Sequence, residues 1–336
     1  MTEFEKKLDS VVKRIGRDAE ISHIKSEIDL LSAPYDKVYV SKELILKMIG
    51  CGEPRRSEIL DFLGGVIDNA IKDSKELAIR DGLTGLLNKT QLDFELKREL
   101  AFAFRNPSHS LTLMMFDIDD FKAVNDEYGH GVGDFVLKKL GEVLLDNLRA
   151  SDLAFRVGGE EFIVLLPNTS EKDAIKVMRK LRFKIKRCLE MIGDKEGGGF
   201  HRPITLSGGV LEIKKNSPVW LLYGERGRKL IMDFLEERPG RERELTIYLK
   251  NSPRIVKKEE LEKGIREMVD FVRACASERK VNVSEIVSPE FFWICAQRFL
   301  LDRVDKLVYY VKNNGKDNVG YVSKGSIKMV EDGESS

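Results

Sequence analysis

The 336 residues carry 57 Lys+Arg against 56 Asp+Glu, a formal net charge of +1. That balance argues against a nucleic-acid partner, which would draw on a basic surplus, and 42 % hydrophobic residues exclude a disordered chain. No apolar run approaches the ~18 residues of a transmembrane helix, so no membrane association is expected. The opening Met1-Thr2-Glu3-Phe4-Glu5-Lys6-Lys7 lacks the apolar core of a signal peptide. Cys51, Cys188, Cys275 and Cys295 show no metal or redox spacing. A reduced, cytoplasmic protein is expected, with about two domains on length alone.

Residues 1–50 read as polar helices, with Phe4, Leu8, Val11, Val12 and Ile15, then Ile21, Ile24, Ile28 and Leu31, at helical spacing. Val38-Tyr39-Val40 is a short strand or an extended link, and Gly50, Gly52 and Pro54 then punctuate the chain. A helix is predicted from Ser57 to Arg80, where Ile59, Leu63, Val66, Ala70 and Leu77 form a near-heptad stripe. The stripe fits either an ordinary amphipathic helix or a dimerising stalk. Strands are predicted at Leu111 to Phe116, at Phe162 to Leu166 before Pro167, and at Ile204 to Val210 after Pro203. Amphipathic helices are predicted over Phe135 to Leu148 and Glu171 to Leu189. The alternation gives an α/β layered domain. Beyond Val210, Gly224, Gly227, Pro239, Gly240 and Pro253 break the chain; Glu259 to Ala276 reads as a helix, and Pro289 opens another with Phe291, Phe292 and Trp293.

Chemistry concentrates where two strands meet acids. The first strand runs into Asp117-Ile118-Asp119-Asp120, and the second is preceded by Gly158-Gly159-Glu160-Glu161. Strand ends are where layered α/β sheets present ligand groups. Two glycines before a strand allow a tight hairpin and close backbone approach. If the strands are neighbours, Asp117 and Glu160 face each other and can hold a hard cation. Mg²⁺ typically takes one or two carboxylates and completes its shell with phosphate oxygens, so the pattern points to nucleotide phosphate chemistry. The bland alternative is a solvated acidic loop beside a glycine hairpin.

Arg156-Val157-Gly158-Gly159-Glu160-Glu161-Phe162 resembles the signature of the GGDEF family, the diguanylate cyclases. Asp81-Gly82-Leu83-Thr84-Gly85-Leu86-Leu87-Asn88 resembles that family's start, with Lys89 where Arg is usual. Phe116 to Asp126, Tyr128-Gly129-His130, Gly133-Asp134 and Ser207-Gly208-Gly209-Val210 occur in the family's order. Asp305, Leu307, Tyr309 and Lys312 to Asn318 resemble its closing segment. The resemblance covers roughly 78–210 and 298–325. It implies a palm-like nucleotidyl cyclase fold of α+β type, with a mostly antiparallel central sheet flanked by helices.

The resemblance also implies roles. Asp117, the carbonyl of Ile118, and Glu160 would bind two Mg²⁺ ions, with Mn²⁺ as a substitute. Glu160 is the family's candidate general base, although a metal-bound carboxylate is a poor one, and Glu161 is the second signature acid. Asn125 and Asp134 match the positions that read guanine. Phe121 and Lys122 would support the pocket, Gly158 and Gly159 would let backbone approach the triphosphate, and Lys312 and Lys316 would hold its outer phosphates. Two GTP would condense to cyclic di-GMP and pyrophosphate across a head-to-head homodimer. Arg149-Ala150-Ser151-Asp152 has the family's RxxD form and resembles an inhibitory product site; its bland counterpart is a salt bridge at a helix end. Arg179 or Lys180 would complete that site.

Two departures stand out. Lys316 replaces the usual Arg, which keeps the charge but loses the planar fork, a weakening of about 1 kcal/mol in phosphate grip. The stretch from about 211 to 297 is far longer than the family needs, and is expected to fold as a helical insertion that gates the site or merely decorates it. The expected organisation is then a helical region at 1–77 with no nameable sensor, a catalytic domain over 78–325 interrupted by the insertion, and a tail at 326–336. The competing readings are a catalytically silent receptor for GTP or cyclic di-GMP, and a scaffold whose N-terminal helices recruit a partner.

Overall fold

A computed structural model describes residues 78–106, 108–195, 203–214, 216–251, 258–279, 288–323 and 326–330. The helices expected within 1–77, and the stalk expected from Ser57, lie outside the described residues apart from Ala78 to Arg80. Residues Ile79–Ser336 form one compact unit.

In chain order the elements are α1 (Lys89–Arg105), β1 (Leu111–Ile118), α2 (Phe121–Tyr128), α3 (His130–Asn147), β2 (Leu153–Arg156), β3 (Glu161–Pro167), α4 (Glu171–Lys195) and β4 (Leu206–Glu212). The chain continues with α5 (Trp220–Tyr223), α6 (Glu225–Leu235), α7 (Arg241–Asn251), α8 (Lys258–Arg279), α9 (Pro289–Asn313), β5 (Val319–Ser323) and β6 (Ser326–Met329). The six strands form one sheet in the order β2-β3-β1-β4-β5-β6. Every neighbouring pair is antiparallel except β4 with β5.

β1 is central, and all eight of its residues are buried. A strand covered on both faces reads as a continuous apolar run, and its side chains still alternate. Leu111, Leu113 and Met115 enter one core, while Met114, Phe116 and Ile118 enter the other. β3 divides in the same way, with Ile163 and Leu165 on the first face and Phe162, Val164 and Leu166 on the second. The second face is covered by Phe121 and Val124 of α2, by Val136, Leu137, Leu140 and Leu144 of α3, and by Met178, Leu181 and Ile185 of α4.

The first face is covered by α1, α9 and the inserted helices together. Trp220, Leu221 and Leu222 of α5, Leu230 and Ile231 of α6, and Ile265, Met268 and Val272 of α8 share one core with Leu92, Leu96, Leu113 and Leu165. The described residues of the stretch expected as an insertion are therefore largely helical, and they share one core with α1, α9 and the sheet.

The boundary expected near 297 falls inside α9, which runs unbroken for 25 residues. Ser288 caps it by accepting the Phe291 N–H at 3.1 Å, and Pro289 supplies a first helical residue with no N–H to satisfy. Its C-terminal half lies so close to β4 that a Cβ on Gly209 would sit 2.8 Å from both Leu307 Cβ and the Val304 carbonyl oxygen. The expected tail changes at its start, since 326–329 pair with β5 as edge strand β6. Among the described residues, no helix is long and apolar enough to cross a membrane.

Candidate active site at the end of the central strand

β1 delivers Asp117 between its two neighbours. In register it stands opposite Glu161 of β3 on one side and Ser207 of β4 on the other. The strands that carry the two acid clusters are thus neighbours, but the acid opposite Asp117 is Glu161 and not the expected Glu160, which lies one residue earlier in the turn before β3. Lys312, in the last turn of α9, donates from Nζ to Asp117 Oδ1. Burial pushes the Asp117 carboxyl up to about 6, against the pull of Lys312 and with the push of Glu160 and Glu161. Glu160 is raised as well, first by burial and then by Glu161, with Lys312 opposing. Two carboxylates and a backbone carbonyl are hard oxygen donors, and one ammonium leaves Asp117 raised. That donor set fits a divalent cation such as Mg²⁺.

After β1 the chain turns sharply. Asp120 adopts a left-handed conformation at φ 53° and opens α2. Its two carboxylate oxygens accept from Lys316 Nζ at 2.7 and 2.8 Å. Both lysines expected on phosphate therefore rest on carboxylates of the β1 end. The first acid after Ile118, Asp119, is buried and takes hydrogen bonds from the Thr205 and Ser207 hydroxyls.

Asn125 sits on α2 against the start of α3. A Cβ on Gly133 would lie 1.9 Å from Asn125 Oδ1 and 3.2 Å from Phe121 Cζ, so only glycine leaves room for the amide there. Asn125 is in this way set beside the backbone that carries Asp134, which is exposed, as is Lys122. Phe121 is a core residue beneath them.

Gly158 and Gly159 form the turn between β2 and β3, and the Glu161 side chain folds against Gly158. Arg156 fastens this turn. Its Nε and NH2 donate to the Gly159 carbonyl at 3.2 and 2.8 Å, while NH1 reaches both Asp81 oxygens at 3.1 and 3.2 Å. Asp81 also accepts from the Thr84 N–H at 2.8 Å and its hydroxyl at 2.7 Å. Burial alone would raise its pKa, but these bonds and Arg156 hold the carboxyl below the usual range. Glu161 and Asp305 also line a cavity shared with Arg279 of α8 and Arg298 of α9.

The RxxD segment lies in the turn between α3 and β2. Asp152 Oδ2 accepts the backbone N–H of Arg149 at 3.0 Å, so the contact that stabilises this turn uses the main chain. Arg149 is exposed, and Arg179 and Lys180 lie on α4.

Sequence reasoning missed Asp119, Asp120, Thr205 and Asp317 as parts of this constellation. Asp119 and Asp120 stand within the Phe116 to Asp126 motif, but their partners lie 86 to 198 residues away.

A mostly antiparallel sheet with helices on both faces and carboxylates at the end of its central strand is the palm-like nucleotidyl cyclase fold. Residues 78–219 match the family model "Diguanylate cyclase, GGDEF domain", and this part of the chain belongs to the GGDEF family. The diguanylate cyclase DosC of Escherichia coli is 39 % identical over 107 residues, 32 % of this chain and 23 % of that protein. The response regulator PleD of Caulobacter vibrioides is 35 % identical over 161 residues, 47 % of this chain and 32 % of that protein. The diguanylate cyclase DgcP of Pseudomonas aeruginosa is 35 % identical over 173 residues, 52 % of this chain and 24 % of that protein. The chain thus spans a quarter to a third of the length of these relatives. In fold it resembles the coiled coil and GGDEF domain of DgcB from Caulobacter crescentus, with a TM-score of 0.50 and 18 % identity over 80 % of this chain and all of that one.

Proposed function

We propose that this chain is a diguanylate cyclase that condenses two GTP into cyclic di-GMP and pyrophosphate across a head-to-head homodimer. One observation carries the reading. Lys312 of α9 bonds Asp117 at the end of β1, Glu160 of the turn before β3 lies within electrostatic reach of both, and burial leaves Asp117 raised even with Lys312 upon it. Such a cluster is suited to a further cation and an anionic ligand. Asp117, the Ile118 carbonyl and Glu160 would hold two Mg²⁺. When bound, the metal neutralises triphosphate charge and acidifies a ribose 3′-hydroxyl.

The chain's own residues do the rest. Asn125 and Asp134 hold the guanine edge, which offers the N–H donors that adenine lacks. Phe121 supports that pocket from below. Lys312 and Lys316 leave their carboxylates for the outer phosphates, Lys122 approaches phosphate, and Gly158 and Gly159 present backbone to the triphosphate. Glu160 or Glu161 accepts the 3′-hydroxyl proton. Each 3′-oxygen then attacks the α-phosphorus of the other GTP, and the bond to pyrophosphate breaks. Arg149 and Asp152 hold returning product, which inhibits turnover. In this reading residues 78–325 are the catalytic domain, interrupted by the insertion, and 57–80 form a stalk that controls dimer closure.

The test is incubation with GTP and Mg²⁺, then chromatography for cyclic di-GMP. Product from the wild type and none from Glu160→Gln supports the reading. No product together with tight cyclic di-GMP binding would replace it with the silent receptor, and neither would favour the scaffold. Arg149→Ala is expected to abolish inhibition by added product while leaving the initial rate intact.

A further inference from the structure

We propose that Asp119 is a positioning residue that ties the loop carrying Lys316 to the end of the strand carrying Asp117, so that the two halves of the triphosphate site keep one spacing. The proposal rests on the cyclase reading. Asp119 is 5 % exposed and lies two residues beyond Asp117. Its carboxylate accepts from Ser207 Oγ at 2.6 Å, Thr205 Oγ1 at 2.7 Å and the backbone N–H of Asp317 at 3.2 Å. Its own N–H donates to the Thr205 carbonyl at 2.9 Å. One side chain therefore joins the end of β1, the entry to β4 and the loop from α9 to β5.

That last loop needs holding. Gly315, Lys316 and Asp317 have φ of 118°, 60° and 42°, so two consecutive side-chain-bearing residues sit in the left-handed region. Asp tolerates that region better than most L-residues, but Lys316 holds it only where its surroundings impose it. From the far side, Arg182 and Lys186 of α4 pair with the Asp317 carboxylate. From the near side, Asp119 takes the Asp317 N–H.

The two neighbouring contacts differ in kind. Asp120 with Lys316 is an exposed ion pair, which exchanges readily for another anion. Asp119 with Asp317 is a contact to a buried carboxylate, and it persists when Lys316 leaves Asp120 for a nucleoside triphosphate. Asp119 touches no ligand in this scheme; it acts through Lys316.

The variant Asp119→Asn keeps size but turns an N–H₂ toward groups that donate. The probes are 3′-deoxy-GTP, which cannot react, and GMP, which reaches Asn125 and Asp134 but lacks the outer phosphates. Affinities are read by calorimetry for the triphosphate and by ligand-observed NMR for GMP, with Mg²⁺ present. The expected result is a loss of about tenfold for 3′-deoxy-GTP, the worth of one charge-assisted hydrogen bond, with GMP affinity within about twofold. The double variant Thr205→Val/Ser207→Ala removes the two hydroxyl donors and serves if Asp119→Asn does not fold; it should show the same split. Equal losses for both nucleotides, or no loss for either, would overturn the proposal. Wild-type protein that binds neither nucleotide would overturn the cyclase reading, and the role of Asp119 with it.

Discussion

Asp81 shows what a single carboxylate does here. It opens the GGDEF-like segment and fastens the glycine turn through Arg156. Its folded pKa is depressed below the ordinary 3.8. A depressed acid stabilises the fold above its unfolded pKa and loses that contribution as pH falls through the folded value. The stability gap in urea between the wild type and Asp81→Asn should therefore be full above the ordinary value of 3.8 and shrink as pH falls below it. A gap that stays constant with pH would reject the assignment. At Lys316 the argument concerns shape. Lys316→Arg restores a planar fork, and GTP affinity should rise about fivefold, or about 1 kcal/mol. Calorimetry that shows no gain would mean that the Asp120 contact dominates. Asp117, Glu160 and Lys312 were legible in the sequence because each ends an apolar run or sits in a dense motif. Asp119 was not legible as a joint, because its hydroxyl partners and the Asp317 N–H are brought to it only by the sheet and the turn after α9.

Among the elements, β1 and β3 were easy to read, since both are apolar runs of strand length closed by acids or proline. β2 went unread because four residues, Leu153-Ala154-Phe155-Arg156, are too short to show a period. α2 went unread because Lys122, Asn125, Asp126 and Glu127 interrupt the apolar pattern that marks a helix. Gly209 belongs to this scale. A methyl there would press on backbone and Cβ of α9, neither of which can rotate away. Gly209→Ala should lower stability by about 1–3 kcal/mol, read as a shift of the urea midpoint at constant m. Unchanged stability would show that α9 can back away from the sheet.

At the level of the whole molecule, the insertion belongs to the core. Trp220 is 4 % exposed, donates from Nε1 to the Lys214 carbonyl at 2.8 Å, and lies with its ring beside Phe104 of α1. Trp220→Ala should remove about 3–5 kcal/mol and lower Tm by roughly 10 °C. Deletion of 218–290 should give insoluble protein, because it uncovers the first face of the sheet; soluble, cooperatively melting protein would show that α1 and α9 suffice. The sequence by itself determined the family, the acids at the strand ends, the helical nature of the insertion and the departure at Lys316. These are local facts, carried by residue type and by spacing over a few turns. Only the tertiary structure decided that the insertion and α1 share one core, that α9 continues from that core to Lys312, and that the lysines rest on Asp117 and Asp120. Those facts depend on which surfaces meet across long separations. Burial and pairing, unlike periodicity, leave no mark at a single position in the chain.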